Sequence, residues 1–290
     1  MSALMPTRSF RAPLQTDIPR HWLPANPALS AILNIYTVIV PSNEAFYIRT
    51  LARCLPSIED PAQLAAVRAF IHQEAEHGVA HKRFWRVLDA HGYRYRTLER
   101  VVDALAFRLT ERIAPLSLRV SMVSCIEHIN AFMAHEFLRQ GILADAHPEV
   151  RAMMEWHFAE EIEHKTVAFD VLRAISPGHA MRLAGWLSTT CLFYTLMTLG
   201  MLLFLAQDGA LWRLSTWRGL WRHLGPGHNM ARRTLRHLFA YLRPSFHPSR
   251  LDDRDLAEAV IARYSPPRGD WLAPSTRGGV RAADAPASTG

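Results

Sequence analysis

Between Pro61 and His91, Val67, Phe70, Phe84 and Leu88 fall on one stripe with steps of three and four, and the middle of that stripe is Glu74, His77 and His81. Such spacing is one face of an α-helix, and an apolar stripe of this width faces a core. A carboxylate and two imidazoles at its centre constrain the fold strongly, because an unpaired buried carboxylate costs several kcal/mol. Three other segments repeat the pattern. Met154, His157, Glu161, His164, Ala168, Val171 and Ile175 form one stripe. Val120, Val123, Glu127, Ala131, Ala134 and Leu138 form another, and Glu44 shares a face with Tyr47, Ile48, Leu51 and Leu55. Four carboxylates, each centred on the core face of a different helix, require a cation.

Two Glu-x-x-His pairs, Glu74/His77 and Glu161/His164, each place an oxygen and a nitrogen donor one helical turn apart. Glu44 and Glu127 can bridge or cap a metal pair. This is the ligand pattern of dinuclear carboxylate bundles. Fewer than one Glu-x-x-His pair is expected by chance from fourteen Glu and fifteen His in 290 positions, so the weight lies in where the two pairs fall. Hard oxygen donors with one imidazole per metal suit iron or manganese. The expected cofactor is therefore two metal ions, iron first, with manganese or zinc as alternatives. His81 and His157, one turn from these ligands, read as supporting partners, as extra ligands or as core histidines bonded to backbone carbonyls. Glu160 is placed to bond a ligand histidine and Glu163 to face solvent. Asp170 is placed to orient a ligand from outside the coordination sphere. Glu76 and His128 lie off the stripes, as surface or helix-contact residues.

The punctuation divides the chain into an N-terminal arm (1–40), a helical metal-binding bundle (41–178), an apolar helix with a basic aromatic region (179–250), and a tail (251–290) whose end, Ser275–Gly290, is expected to be disordered. Pro41 and Ser42 precede a short first helix that stops near Pro56. Asp60 with Pro61 opens a second that stops at Gly92. A third segment from Thr97 is interrupted at Pro115 and ends at Gly141, and a fourth runs from Pro148 to Ser176 before Pro177-Gly178. No strand-like alternation intervenes, so the fold class is all-α, a four-helix bundle with additional C-terminal helices, one of them strongly apolar.

The stretches PSNEAFYIRTL (41–51), FIHQEAEHGVAHKRF (70–84), CIEHINAF (125–132), WHFAEEIEHKTVAFDVL (156–172) and FHPSRLDD (246–253) together resemble the bacterial family described as predicted metal-dependent hydrolases. Asn43 stands where that pattern has a small residue. The resemblance implies a ferritin-like appearance and a metal site, with hydrolysis as the activity its description carries.

The second half of the chain carries a different signal. Leu183 to Ala206 runs without a formal charge, and Leu211 to Pro244 holds seven Arg and no acid. About 20 apolar residues suffice to cross a bilayer core. A single pass would place the arginines outside if the bundle is cytoplasmic, against the positive-inside tendency. An in-plane or re-entrant helix on an anionic membrane surface avoids that conflict, and a soluble core or homodimer-interface helix is the other reading. The net charge of +7 fits an anionic partner. With no recognised nucleic-acid motif, no nucleic acid is expected. Three cysteines without CxxC spacing fit a reducing compartment, and Met1–Pro27 lacks the apolar run of a secretory signal. The expected location is the cytoplasm, at the inner face of the membrane if lipid is the partner. No nucleophile elbow or phosphate-cradling glycine loop competes with the metal reading. The functional classes are a dinuclear enzyme acting on a small, apolar or lipidic substrate by hydrolysis or dioxygen-dependent oxidation, and, as the alternative, a non-enzymatic metal-binding or membrane-associated bundle.

Overall fold

The computed structural model describes residues 5–15, 17–264 and 272–274. Four helices bear the carboxylate stripes: α1 (Pro27–Ala52), α2 (Pro61–Ala90), α5 (Leu116–Arg139) and α6 (Pro148–His164). Their ends follow local chemistry. Asn26 accepts from the Leu29 N–H at the start of α1, and Asp60 does the same for Ala62 at the start of α2, each followed by proline at the first helical position. Gly92 and Gly141, both with positive φ, close α2 and α5, and the next residue's N–H returns to a carbonyl five positions back.

The first helix departs from the sequence expectation. It starts at Pro27, inside the supposed arm, and runs straight through Pro41. Proline removes the donor that would bond the Thr37 carbonyl. Here the Trp85 indole N–H donates to that carbonyl at 3.0 Å, so the orphaned acceptor is satisfied from α2. The arm also contains a short strand, β1 (Arg8–Phe10), paired antiparallel with β2 (Leu272–Pro274).

The segment after α2 is α3 (Arg96–Val102), a π-helical stretch (Asp103–Arg108) and α4 (Leu109–Ile113). The fourth expected helix is two: α6 ends at His164, and α7 (Val167–Ile175) restarts after a turn at Lys165 and Thr166. The Lys165 ammonium bonds the Leu251 carbonyl and the Asp253 carboxylate, fixing the turn from a distant part of the chain.

Beyond the bundle, α8 (His179–Gln207) lies along α1 and α5. Gly185 and Gly200 allow the close approach, since a Cβ at the first would overlap Ser121 and at the second Ile35. It is the one helix among the described residues long and apolar enough to cross a membrane, and a third of its apolar window is buried. Then come α9 (Leu214–Leu224), α10 (Met230–Ala240) and α11 (Arg254–Tyr264). The last corrects the reading of 251–290 as a tail, for it packs on α6 through Arg263 and Tyr264 to Glu155. Ser275–Gly290 lies outside the described residues.

Candidate metal centre

The four helix stripes converge. Glu44 from α1, Glu74 and His77 from α2, Glu127 from α5, and Glu161 and His164 from α6 are all essentially inaccessible to solvent. Ligand atoms of Glu74, His77, Glu161 and His164 lie within 4.8 Å of one another, and so do those of Glu44, His77 and His157. His77 Nδ1 is 3.6 Å from Glu44 and 3.7 Å from Glu74. His164 sits between two carboxylates, with Nδ1 2.9 Å from Glu127 and Nε2 3.3 Å from Glu74.

Outer partners fix these rings. His77 donates through Nε2 to Glu160 at 3.0 Å, and Glu160 is held by Arg8 at 3.1 Å. That leaves His77 Nδ1 facing the carboxylates. His157 Nε2 is 2.8 Å from the Tyr36 hydroxyl and 3.0 Å from Glu161, while its Nδ1 is 3.2 Å from His81 Nε2. Trp156 meets His77 edge-on at 5.0 Å and Phe70 meets His164 at 4.8 Å, so the heterocycles stand in an apolar frame. The two Glu-x-x-His helices are not equivalent: four residues before the glutamate, α2 has Phe70 and α6 has His157.

Whether metal fits can be read from unsatisfied atoms. Both oxygens of Glu44 and of Glu74, Glu127 Oε1, Glu161 Oε2, His77 Nδ1 and His164 Nε2 are buried without a hydrogen-bond partner among the described residues. Natural cores rarely leave such groups unpaired, yet every one of the six side chains contributes at least one. Their charge state agrees. Burial, reinforced by the neighbouring carboxylates, pushes Glu44 and Glu127 well above the ordinary carboxylate range. Burial also raises Glu74 and Glu161, partly offset by His164 and His77. Burial acts to lower His164, but Glu127, Glu74 and Glu161 overcome it and hold the ring up at about 9. His77 is raised well above its usual value in the same way, against burial, by Glu160, Glu74 and Glu44. His81 and His157 are driven down by burial and by the neighbouring imidazoles. Protons thus stand in for cations, and the donor set suits divalent metal.

The other residues singled out in the sequence fall elsewhere. Asp170, expected to orient a ligand, faces outward and pairs with His247 at 3.0 Å; the break after His164 re-aims α7. Glu163 is bonded by Arg8 and Gln73. His128 is buried against α10, stacked on His237 at 3.8 Å. Sequence reasoning missed three contributors. Tyr36 lies two turns before Glu44, a spacing hidden by starting the helix at Pro41. Arg8 reaches Glu160 across 152 positions with no local signal. Asn130, three residues after Glu127, contacts Glu161 at 3.4 Å.

Fold and site together define a helical bundle with a buried carboxylate–histidine cluster able to hold metal. The chain belongs to the family described as predicted metal-dependent hydrolases, whose model matches residues 6–252. No curated protein and no solved structure matches it.

Proposed function

We propose that this chain is a dinuclear metal-dependent hydrolase of ferritin-like design, with Glu44, Glu74, His77, Glu127, Glu161 and His164 as ligands and an apolar substrate. The observation that carries the reading is the set of unsatisfied ligand atoms on all six side chains, with those of Glu74, His77, Glu161 and His164 within 4.8 Å of one another and Glu44 grouped with His77. The chemistry supplied by two bound divalent ions at such a site is acidification of a water and polarisation of a substrate oxygen. Glu160 fixes the ring of His77 so that Nδ1 points inward, and Tyr36 fixes His157 beside Glu161. Phe70 and Trp156 exclude bulk water. A narrow apolar slot lined by Ile39, Phe46, Tyr47, Phe107, Leu192 and Leu196 lies among α1, α5 and α8. Its wall at Tyr47 is one turn from Glu44, which favours an enzyme over a sealed metal store.

A second reading, iron-dependent oxidation by dioxygen, is favoured by the carboxylate-rich donor set with one imidazole per metal. Metal analysis after reconstitution tests the shared premise. Two equivalents are expected, about one in Glu161→Ala, and less than about one in the parent chain overturns both readings. Ester turnover without dioxygen selects hydrolysis. Dioxygen uptake tied to substrate oxidation after anaerobic iron loading selects the other.

We further infer that the protein docks in-plane on an anionic bilayer. The outer face of α8 exposes Leu183, Leu187 and Leu199 without a charge, and α10 exposes Leu235 and Phe239 beside it, joined by the Trp186–Phe239 ring contact at 6.0 Å. Trp212 and Trp221 stand exposed among the arginines. Of the seven Arg between residues 211 and 244, only Arg233 has a carboxylate partner among the described residues. A second copy across this face would set arginines against arginines, whereas anionic headgroups complement them. Flotation with vesicles tests this: binding to phosphatidylglycerol-containing vesicles is expected, lost in Leu235→Glu/Phe239→Glu. Equal binding to neutral vesicles, no binding, or dimerisation abolished by the same pair of substitutions overturns it.

A further inference from the structure

A second cavity, of about 470 Å³, lies away from the carboxylates, between the end of α7, the start of α8 and the segment after α10. Its chemistry is the reverse of the metal centre's. Arg173, Arg182 and Arg250 line it with His179 and His247, and no Asp or Glu among the described residues does. Phe169 and Phe246 supply apolar walls.

Arg182 is the informative residue. It is nine-tenths buried, and it has no carboxylate partner among the described residues. Its guanidinium donates through Nη2 to His179 Nδ1 at 2.7 Å and to the Arg243 carbonyl, and its Nε has no acceptor among the described residues. Phe169 and Tyr241 lie 5.8 and 5.7 Å from the guanidinium carbon, which eases its burial without neutralising it. A buried cation lacking a counter-charge is costly, and here it faces a cavity of ligand size.

The backbone adds to the same field. The 29-residue α8 begins at His179 on the cavity wall, and its first N–H groups receive no side-chain cap from Gly178. A helix N-terminus presents unpaired donors and partial positive charge to an anion. Ser176 and Ser245 offer hydroxyls at the rim. Asp170, close by, is engaged by His247 at 3.0 Å, and Asp253 by Lys165.

We propose that this cavity is a binding site for a phosphate-bearing molecule, with Arg182 and the N-terminus of α8 holding the anion, and Arg173 and Arg250 closing over it. Phosphate suits the geometry because several donors converge from different directions. The volume leaves room for an organic portion against Phe169 and Phe246. The phosphate belongs either to a free organophosphate or to a lipid headgroup, and the two sources separate experimentally.

The test uses the full metal-loaded chain and isothermal titration with inorganic phosphate and glycerol 3-phosphate, alongside flotation with phosphatidylglycerol vesicles. Saturable binding of at least one probe is expected. Arg173→Gln/Arg250→Gln, at exposed positions, should weaken it by at least ~10-fold, as loss of a hydrogen bond to a charged group does. Arg182→Met should abolish it, while Arg68→Gln, exposed on α2, leaves it unchanged. Glycerol 3-phosphate binding identifies a free ligand, and binding confined to vesicles with the same arginine dependence identifies a headgroup; either sustains the site. No binding of any probe overturns the proposal. So does inorganic phosphate or glycerol 3-phosphate binding indifferent to Arg173, Arg250 and Arg182, which would place the anion on the metal ions, and so does vesicle binding indifferent to them, which the α8–α10 face would account for. The Glu161→Ala variant keeps the two readings apart, since phosphate binding should survive the loss of metal.

Discussion

Removing metal should make the protein's stability fall steeply with rising pH above neutrality, and His164 sets the size of the effect. The ring is fully buried between Glu127 and Glu74 and holds its proton up to about 9, against 6.5 in the unfolded chain. The folded metal-free state therefore binds more protons than the unfolded state in that interval, and stability decreases as pH rises. The contribution is full below 6.5 and is lost through about 9. Converted by linkage, a shift of this size amounts to roughly 3 kcal/mol. The raised carboxylates act in the same direction, so His164 alone gives the smaller bound. Urea unfolding of the metal-free protein at pH 6.5, 7.5, 8.5 and 9.5 measures the slope, and metal-saturated protein provides the contrast, because bound metal displaces the protons. The slope should shrink in His164→Gln and nearly vanish when metal is bound. A metal-free protein whose stability is level or rises over that range would falsify the charge assignment.

Particular contacts set three further outcomes. Glu160→Ala removes the carboxylate that orients His77. Metal affinity in chelator competition should then fall ~10–100-fold, while Glu160→Gln, which keeps an acceptor, loses less. Gly200→Ala drives a Cβ into the Ile35 side chain. Overpacking of that kind should cost about 1–3 kcal/mol in thermal unfolding. Leu199→Ala, at the exposed neighbouring position, should change little, and an equal loss in both variants would refute the close-packing argument. On the acid side, burial lowers His237 to about 4 and His128 well below its usual value, so both are neutral in the fold. Their stabilisation is intact above pH 6.5 and lost as pH falls below it; amide exchange in α10 should accelerate there, and an unchanged rate at pH 5 would refute the assignment.

The helix stripes are legible because periodicity is local: Glu74, His77, Glu127, Glu161 and His164 can be placed on core faces from spacing alone. What escapes depends on contacts between distant residues. Pro41 reads as a helix start until the Trp85 indole is known to occupy the Thr37 carbonyl, and with that error Tyr36 disappears from the face of Glu44. Spacing carries the fourth helix to Ser176, but Lys165 is tied to Leu251 and Asp253, and the resulting turn sends Asp170 toward His247. The arginines that line the second cavity come from three separate segments, and only the tertiary structure brings them together.

Both outlying parts of the sequence brace the ligand helices. Arg8 steadies the carboxylate behind His77, and Asp253 grips the lysine that follows His164. The segments are further stitched together where Arg8–Phe10 pairs with Leu272–Pro274. The four central helices, excised by themselves, would lose the struts on both Glu-x-x-His pairs. A minimal metal-binding fragment must therefore be cut wide, from before Arg8 to past Asp253, and shortened versions should be judged first on metal retention rather than on helical content.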